Sequence, residues 1–288
     1  LRAFILYHDF MHGALLRGSR LAKALFYVHG VLMLTPPRFW SESHNTHHAQ
    51  PARIERPPVG TFSLWTVQRW QSSTRLQRLA YVLERHPVTM LLAHVTVFFF
   101  GMGIIPFARN PRRYASSGLA VAVYLALSIA VWSFAGPWVY LLAFLGPRLL
   151  ASAIGAYLFY SQHNFPEMQI ADEPDWEYAA AAVEASSYLR TGRVMAWFTG
   201  NIGYHHVHHL SSRIPFYRLP EAMAALPELQ NPGVTTLTPG NILACLRANL
   251  WDPSLGRPVP YPRRARRQPV AAPVTVTATA TIEPSPAG

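Results

Sequence analysis

The stretch SGLAVAVYLALSIAVWSFAGPWVYLLAFLGPRLLASAIGAYLFYSQHNF, residues 117–165, contains two apolar runs, 117–135 and 138–160, joined through the short uncharged turn AGPW. Each run approaches or reaches the ~20 residues with which a helix crosses a bilayer. The pattern predicts a membrane hairpin with its tip on the far side and both of its ends in the cytoplasm. The rest of the chain agrees with a membrane setting. Of its 288 residues, 50% are hydrophobic and 14% charged, against ~25% charged in soluble domains. The expected fold is therefore all-α, an integral membrane helical protein of membrane hairpins with a cytoplasmic helical cap.

Charge placement orients the remaining apolar segments. Residues 21–34 are too short to span and carry Arg17, Arg20 and Lys23 before them and Arg38 after. Cations on both flanks place both ends on the cytoplasmic side, so this segment lies in the interface or dips in and returns. Residues 88–107 are long enough to cross. They have Arg75, Arg78 and Arg85 before them and Arg109, Arg112 and Arg113 after, with Gly101, Gly103 and Pro106 as bending points. This segment should be embedded without crossing. Arg148 falls inside the second hairpin helix, where a central Arg costs about 2.5–3.5 kcal/mol on insertion scales; it must face a polar cavity or a partner. The net charge of +11 follows from this cytoplasmic bias and does not call for nucleic acid, for which no soluble basic face is visible. One cysteine, Cys245, excludes a disulfide framework and a thiolate metal cluster.

Two domains are expected. Residues 1–257 form the membrane domain. The chain opens on Leu1 in mid-pattern, with LRAFILY as the last turns of a helix, which reads as loss of an N-terminal membrane part. Residues 258–288 are rich in Pro, Ala and Thr with a basic cluster at Arg263–Arg267, the composition of a disordered tail. Between them, DWEYAAAAVEASSYL, 175–189, predicts a helix starting near Asp175.

Nine of the thirteen histidines fall into three groups: HDFMH at 8–12, HNTHH at 44–48 and HHVHH at 205–209. His8 and His12 are four apart. His44 precedes His47 and His48, and His205 precedes His208 and His209, by three and four. These spacings put side chains on one helical face, so each group should aim its imidazoles at one point, with His206 alone off the face. Solvated helices use Glu and Lys rather than stacked imidazoles. Eight nitrogens exceed what one tetrahedral zinc takes and suit two first-row metal ions with positions left open. His163, in YSQHNF where the second hairpin helix leaves the bilayer, is a ninth ligand candidate. His29, His86 and His94 read as hydrogen-bonded core residues. Trp40, Trp65, Trp197 and Phe198 are candidates to line an apolar tunnel, though packing or interface anchoring explains each as well.

The order HxxxH, HxxHH, then HxxHH after a membrane hairpin resembles the membrane fatty acid desaturases. YHDFMHG, WSESHNTHHAQPARIERPPVGTFSLWTV, LFYSQHNF and GNIGYHHVHHLSSRIPFYRL are nearest to bacterial acyl-lipid desaturases of the omega-6 (Δ12) type, over residues 1 to about 225. The resemblance implies a di-iron site ligated by His8, His12, His44, His47, His48, His205, His208 and His209, with His163 matching the family's additional histidine. It implies an oxygen-dependent reaction in which O2 and two electrons serve to remove two hydrogens from adjacent methylenes, leaving a cis double bond. Imidazole suits iron. Asp9 or Asn201 would orient a ligand imidazole; Asn201, four before His205, would lie above it on the same face. His206 would support the site or meet substrate. The substrate would be an acyl lipid or acyl thioester. Electrons would come from a separate ferredoxin or cytochrome b5-type protein. The location would be a bacterial inner membrane, with the site facing the cytoplasm. A di-iron lipid hydroxylase and a carotenoid ketolase or hydroxylase share this histidine architecture; the long RIERPPVGTFSLWTV stretch favours the desaturases. A metal transporter would place its ligands inside crossing helices, whereas these groups lie outside the apolar runs.

Overall fold

The computed structural model describes residues 1–54, 62–171 and 173–262. Its frame is the hairpin. Helix Ala115–Ala135 has 21 residues, about 32 Å at 1.5 Å per residue, which matches a hydrocarbon core of about 30 Å. Gly136, at φ 87°, makes the reversal that a side chain would strain. The return helix, Pro137–His163, has 27 residues, about 40 Å. It is longer than the hydrocarbon core by about 10 Å, enough for its last turns, which carry His163, to extend beyond that core. Only 17% and 11% of the most apolar windows of the two helices is buried within the protein. A soluble core helix would hide that surface; an apolar face left open to this extent fits a lipid setting.

Arg148 finds its partners on its own helix. Its Nη1 donates to the Phe144 carbonyl at 2.8 Å, and the guanidinium lies 3.8 Å from the centre of the Phe144 ring. One turn of helix thus supplies both an acceptor and a π face.

The segment His94–Arg109 is an apolar helix shorter than the two spans. It continues through Gly101 and Gly103 without a break, as π-helix from His94 to Ile104. Gly103 lets it approach the first hairpin helix, since a Cβ there would come within 2.6 Å of Val121 Cγ2.

Ahead of the hairpin lie helices Arg2–Met11, Arg20–Leu32 and Pro37–Ala49. The first two carry apolar sequence, and the third opens on Pro at its first turn, a position that needs no N–H. Ser19 caps the second helix by accepting from Ala22 N. The tight return from the second helix to the third places the Thr35 carbonyl where Tyr7 Oη donates to it at 2.8 Å. This bond ties the first helix to the turn that joins the second and third.

The all-α expectation misses two small sheets. Trp65–Thr66 pairs in parallel with Leu250–Asp252, which pairs antiparallel with Arg257–Val259. Tyr188–Arg190 pairs in parallel with Val234–Thr236. The helix expected over 175–189 is confined to Tyr178–Glu184, because Ser187 turns away to donate its N–H to Gln162 O and meets Thr235 through its hydroxyl. Packed structure also continues past residue 257: Val259 pairs with Leu250, and the Tyr261 ring lies 4.9 Å from that of Trp70. The expected tail from 263 onward lies outside the described residues.

Candidate metal centre

Four pieces of chain meet where the return helix ends. Helix Arg2–Met11, with its C-cap, contributes His8 and His12; Pro37–Ala49 contributes His44, His47 and His48; the return helix contributes His163; and His205–Leu210 contributes His205, His208 and His209. All nine expected ligands converge, but on two points. His8, His12, His44, His48 and His208 form one group, and His47, His163, His205 and His209 the other, with ring nitrogens within 4.8 Å inside each group.

The expectation that each sequence group serves one point is therefore corrected. At about 100° per residue, positions i and i+4 differ by about 40° around the helix, while i+3 stands about 60° from i and 100° from i+4. His44 and His48 turn to the first point and His47 to the second. In the third box the assignment is exchanged: His205 and His209 face the second point and His208 the first. The two HxxHH boxes interlock, each serving both sites.

The nitrogens are arranged as ligands would be. His47 Nε2 and His205 Nε2 lie 3.0 and 2.8 Å from His163 Nε2. His44 Nε2 and His208 Nε2 lie 3.2 and 3.1 Å from His48 Nε2. Two nitrogens bound cis at about 2.1 Å from one ion would be roughly 3 Å apart, while a tetrahedral pair would be roughly 3.4 Å apart. The observed spacings lie in the range of nitrogens that share one ion. Six of the nine rings are buried and three half-buried. Buried nitrogens with no hydrogen-bond partner include His12 Nε2 and both nitrogens of His209. Leaving such atoms bare costs free energy, and a cation between them removes that cost. Among the described residues, no carboxylate belongs to either group.

Burial is the first cause holding His44, His47, His48, His205, His208 and His209 well below the ordinary imidazole pKa, with the charge of neighbouring imidazoles second. The rings are thereby kept neutral, the form that ligates metal.

Asp9 stands behind the first group. Its Oδ1 accepts from His8 Nδ1 at 3.0 Å and its Oδ2 from Phe216 N at 2.7 Å. A carboxylate on Nδ1 fixes the ring's tautomer and leaves Nε2 for the ion.

Asn201 does not share a helical face with His205, because the helix starts only at His205. Asn201 occupies a left-handed turn at φ 56° and donates its amide to Phe216 O at 3.3 Å. His206 is buried outside both groups. Its Nε2 donates to Leu229 O at 3.1 Å, and burial lowers its pKa to about 4.

The other histidines stay apart from the metal groups. His86 Nδ1 accepts from Val88 N, and His94 Nε2 faces Tyr124 Oη at 3.1 Å. Trp40 stacks on His44 with centroids 4.4 Å apart. Trp65 stacks on Tyr81 instead, and Trp197 and Phe198 are exposed.

Sequence reading passed over Phe159. Its ring lies 5.2 Å from His47 and 5.3 Å from His163. The signal was available: Phe159 precedes His163 by four, as Trp40 precedes His44. Phe159 and His163 also border a small open cleft, lined further by His47, Phe62, Met168 and Ile170 and by the polar Gln50, Arg53 and Ser63. The cleft touches the four-histidine group through His47 and His163, with apolar side chains on one part of its wall and Gln50, Arg53 and Ser63 on another. Gln162 ties its wall to the third box, donating to Ile202 O at 2.8 Å.

Comparison with known proteins gives one consistent answer. The family model described as fatty acid desaturase matches residues 1–239. A fatty acid desaturase of Bacillus subtilis is 35% identical over 253 residues, covering 87% of this chain and 71% of the relative. An sn-1 oleoyl-lipid 12-desaturase of Synechocystis is 26% identical over 235 residues, covering 80% and 66%. An sn-1 acyl-lipid omega-3 desaturase (ferredoxin) of the same organism is 22% identical over 249 residues, covering 77% and 63%. The chain thus spans about two thirds of the length of these relatives.

Proposed function

This chain belongs to the fatty acid desaturase family, and we propose that it introduces a cis double bond into the acyl chain of a membrane lipid, with one iron ion in each of its two histidine groups. The observation that carries this reading is the pair of interlocked all-imidazole groups at the lipid boundary. When bound, a pair of irons supplies, with O2 and two electrons, the oxidising power to take two hydrogens from unactivated methylenes.

The chain's own residues do the rest. His8, His12, His44, His48 and His208 hold one ion, and His47, His163, His205 and His209 the other. Asp9 keeps the proton on His8 Nδ1. Phe62, Phe159, Met168 and Ile170 give a methylene chain an apolar seat beside His47 and His163. An acyl chain filling that seat would displace water from it and fix which carbons meet the site. The return helix delivers His163 where acyl chains end and head groups begin, so a bilayer lipid reaches the cleft without leaving the membrane. The 12-desaturase named among the relatives favours an acyl-lipid substrate and the Δ12 position. Electrons come from a separate protein, of which a ferredoxin is favoured by the Synechocystis omega-3 relative; a cytochrome b5-type donor is the other candidate. The flanking arginines favour histidine sites that face the cytoplasm, and the bacterial relatives favour an inner membrane.

Gas chromatography with mass spectrometry of lipids from cells expressing the full-length protein tests this. The expected product lacks two hydrogens and is absent with His47→Ala. A product that has instead gained one oxygen would assign the chain to lipid hydroxylation and overturn the desaturase reading.

A further inference from the structure

Helix Arg75–Glu84 carries leucines where a water-facing helix carries charge. Leu76 is 76% exposed and Leu79 and Leu83 are each 53% exposed. Leu76 and Leu83 lie within about 20° of each other around the helix, and Leu79 about 60° from Leu76. Tyr81, about 140° from Leu76, is the residue that packs inward. It is 2% exposed, its ring stacks on Trp65 at 4.3 Å, and its hydroxyl accepts from Trp65 N. With Tyr81 committed to the protein, the leucine stripe points outward. The helix is locally encoded: Thr74 and Gln77 form a reciprocal capping box at its start, as helices with autonomous start signals do.

Its depth is set by Arg85. This buried guanidinium donates through Nη2 to Tyr160 Oη at 3.1 Å and Asn164 Oδ1 at 2.6 Å. Tyr160 is three residues before the end of the return helix, about 4.5 Å along its axis. The end of helix Arg75–Glu84 therefore sits level with the last turn of a membrane span. Past His86 the exposed apolar surface continues on Val88, Leu91 and Leu92, while Met90 and Ala93 pack on Ala156 and Tyr160 of the return helix. The leucine stripe is thus continuous with the lipid-facing surface. Arg75, exposed beside the stripe, is placed to reach head groups while its stem lies on apolar surface.

We infer that helix Arg75–Glu84 lies in the plane of the membrane, at the head-group boundary of the leaflet that adjoins the histidine sites, with Leu76, Leu79 and Leu83 inserted into lipid. Such helices sit about 5–10 Å into the head-group and acyl boundary. It anchors the 62–66 strand segment, and with it one wall of the cleft, to the bilayer surface.

The test uses the full chain in nanodiscs of phosphatidylcholine and phosphatidylglycerol. An environment-sensitive dye is placed on Leu79→Cys or Leu83→Cys, with exposed Glu228→Cys as the water-facing reference and the parent protein, whose Cys245 is buried, as the labelling control. The dye at 79 and at 83 should emit to the blue of the dye at 228. It should be quenched more by nitroxide placed high on the lipid acyl chain than by nitroxide at the chain end or by aqueous iodide. Quenching by iodide equal to that at 228 would overturn the inference. So would shielding from both lipid and iodide, which would mean that a second copy or another protein covers the stripe.

Discussion

The histidine centre and the outer face of the hairpin invert one another. In the centre, polar rings are hidden: His205, His208 and His209 are at most 2% exposed. On the hairpin, Ile129, Phe134 and Leu142 are 66%, 92% and 73% exposed. The centre is specified residue by residue, since each ring needs one rotation about its helix and one partner set. The outer face is specified by composition alone, because lipid tails accept any apolar side chain. Substitutions should therefore be costly in the first region and nearly silent in the second.

The largest effect is expected inside the centre. His47→Ala and His208→Ala each remove a nitrogen from a different group, and activity should fall by more than the roughly 10–100-fold typical of lost outer partners. Metal analysis should show iron lost as well, and retention of full activity by either variant would break the comparison. Asp9→Asn should fall inside that range, about 10–100-fold in metal affinity, measured by competition with a chelator. It should leave the fold intact, because the amide oxygen can still accept from Phe216 N.

Acid should weaken the metal-free protein. The buried histidines are held neutral well below their ordinary pKa, whereas in the unfolded chain they take up protons near the usual value of about 6.5. Below that value the unfolded state binds more protons, so stability is intact above about pH 6.5 and declines as pH falls. The melting temperature in detergent should drop between about pH 7 and pH 5. A flat profile would show that the rings titrate normally.

His206→Ala sharpens the contrast within one box. It leaves the Leu229 carbonyl without its donor and should cost about 1–3 kcal/mol of stability, read by thermal unfolding, with iron content unchanged. The smallest effect belongs to the lipid face: Ile129→Leu should change stability by less than about 0.5 kcal/mol.

Much of this contrast is legible in the sequence. The hairpin is readable because span length and the AGPW turn are local properties. The convergence of the nine histidines is readable because polar residues at helical spacing have few other uses beside apolar runs. The division into groups of five and four is not readable, since it depends on how helices Pro37–Ala49 and His205–Leu210 are rotated against each other, and no local pattern records that. The strand Tyr188–Arg190 escapes for a similar reason: its partner, Val234–Thr236, is distant in sequence, while the preceding alanines favour helix locally. Asn201 shows how a spacing argument fails at a boundary, because i and i+4 share a face only where helix exists. Arg148 stands out in the sequence by its cost, while its partner, Phe144 on the preceding turn, depends on side-chain rotamers that no sequence pattern records.

The central claim is that two interlocked histidine groups each hold one iron. It is tested most directly by the iron content of the purified full-length protein together with its Mössbauer spectrum. The account predicts two irons per chain, one for each group, in two distinct nitrogen-rich environments. A folded protein with no more than one iron per chain, or one that keeps both irons in the His47→Ala, His208→Ala double variant, would contradict it.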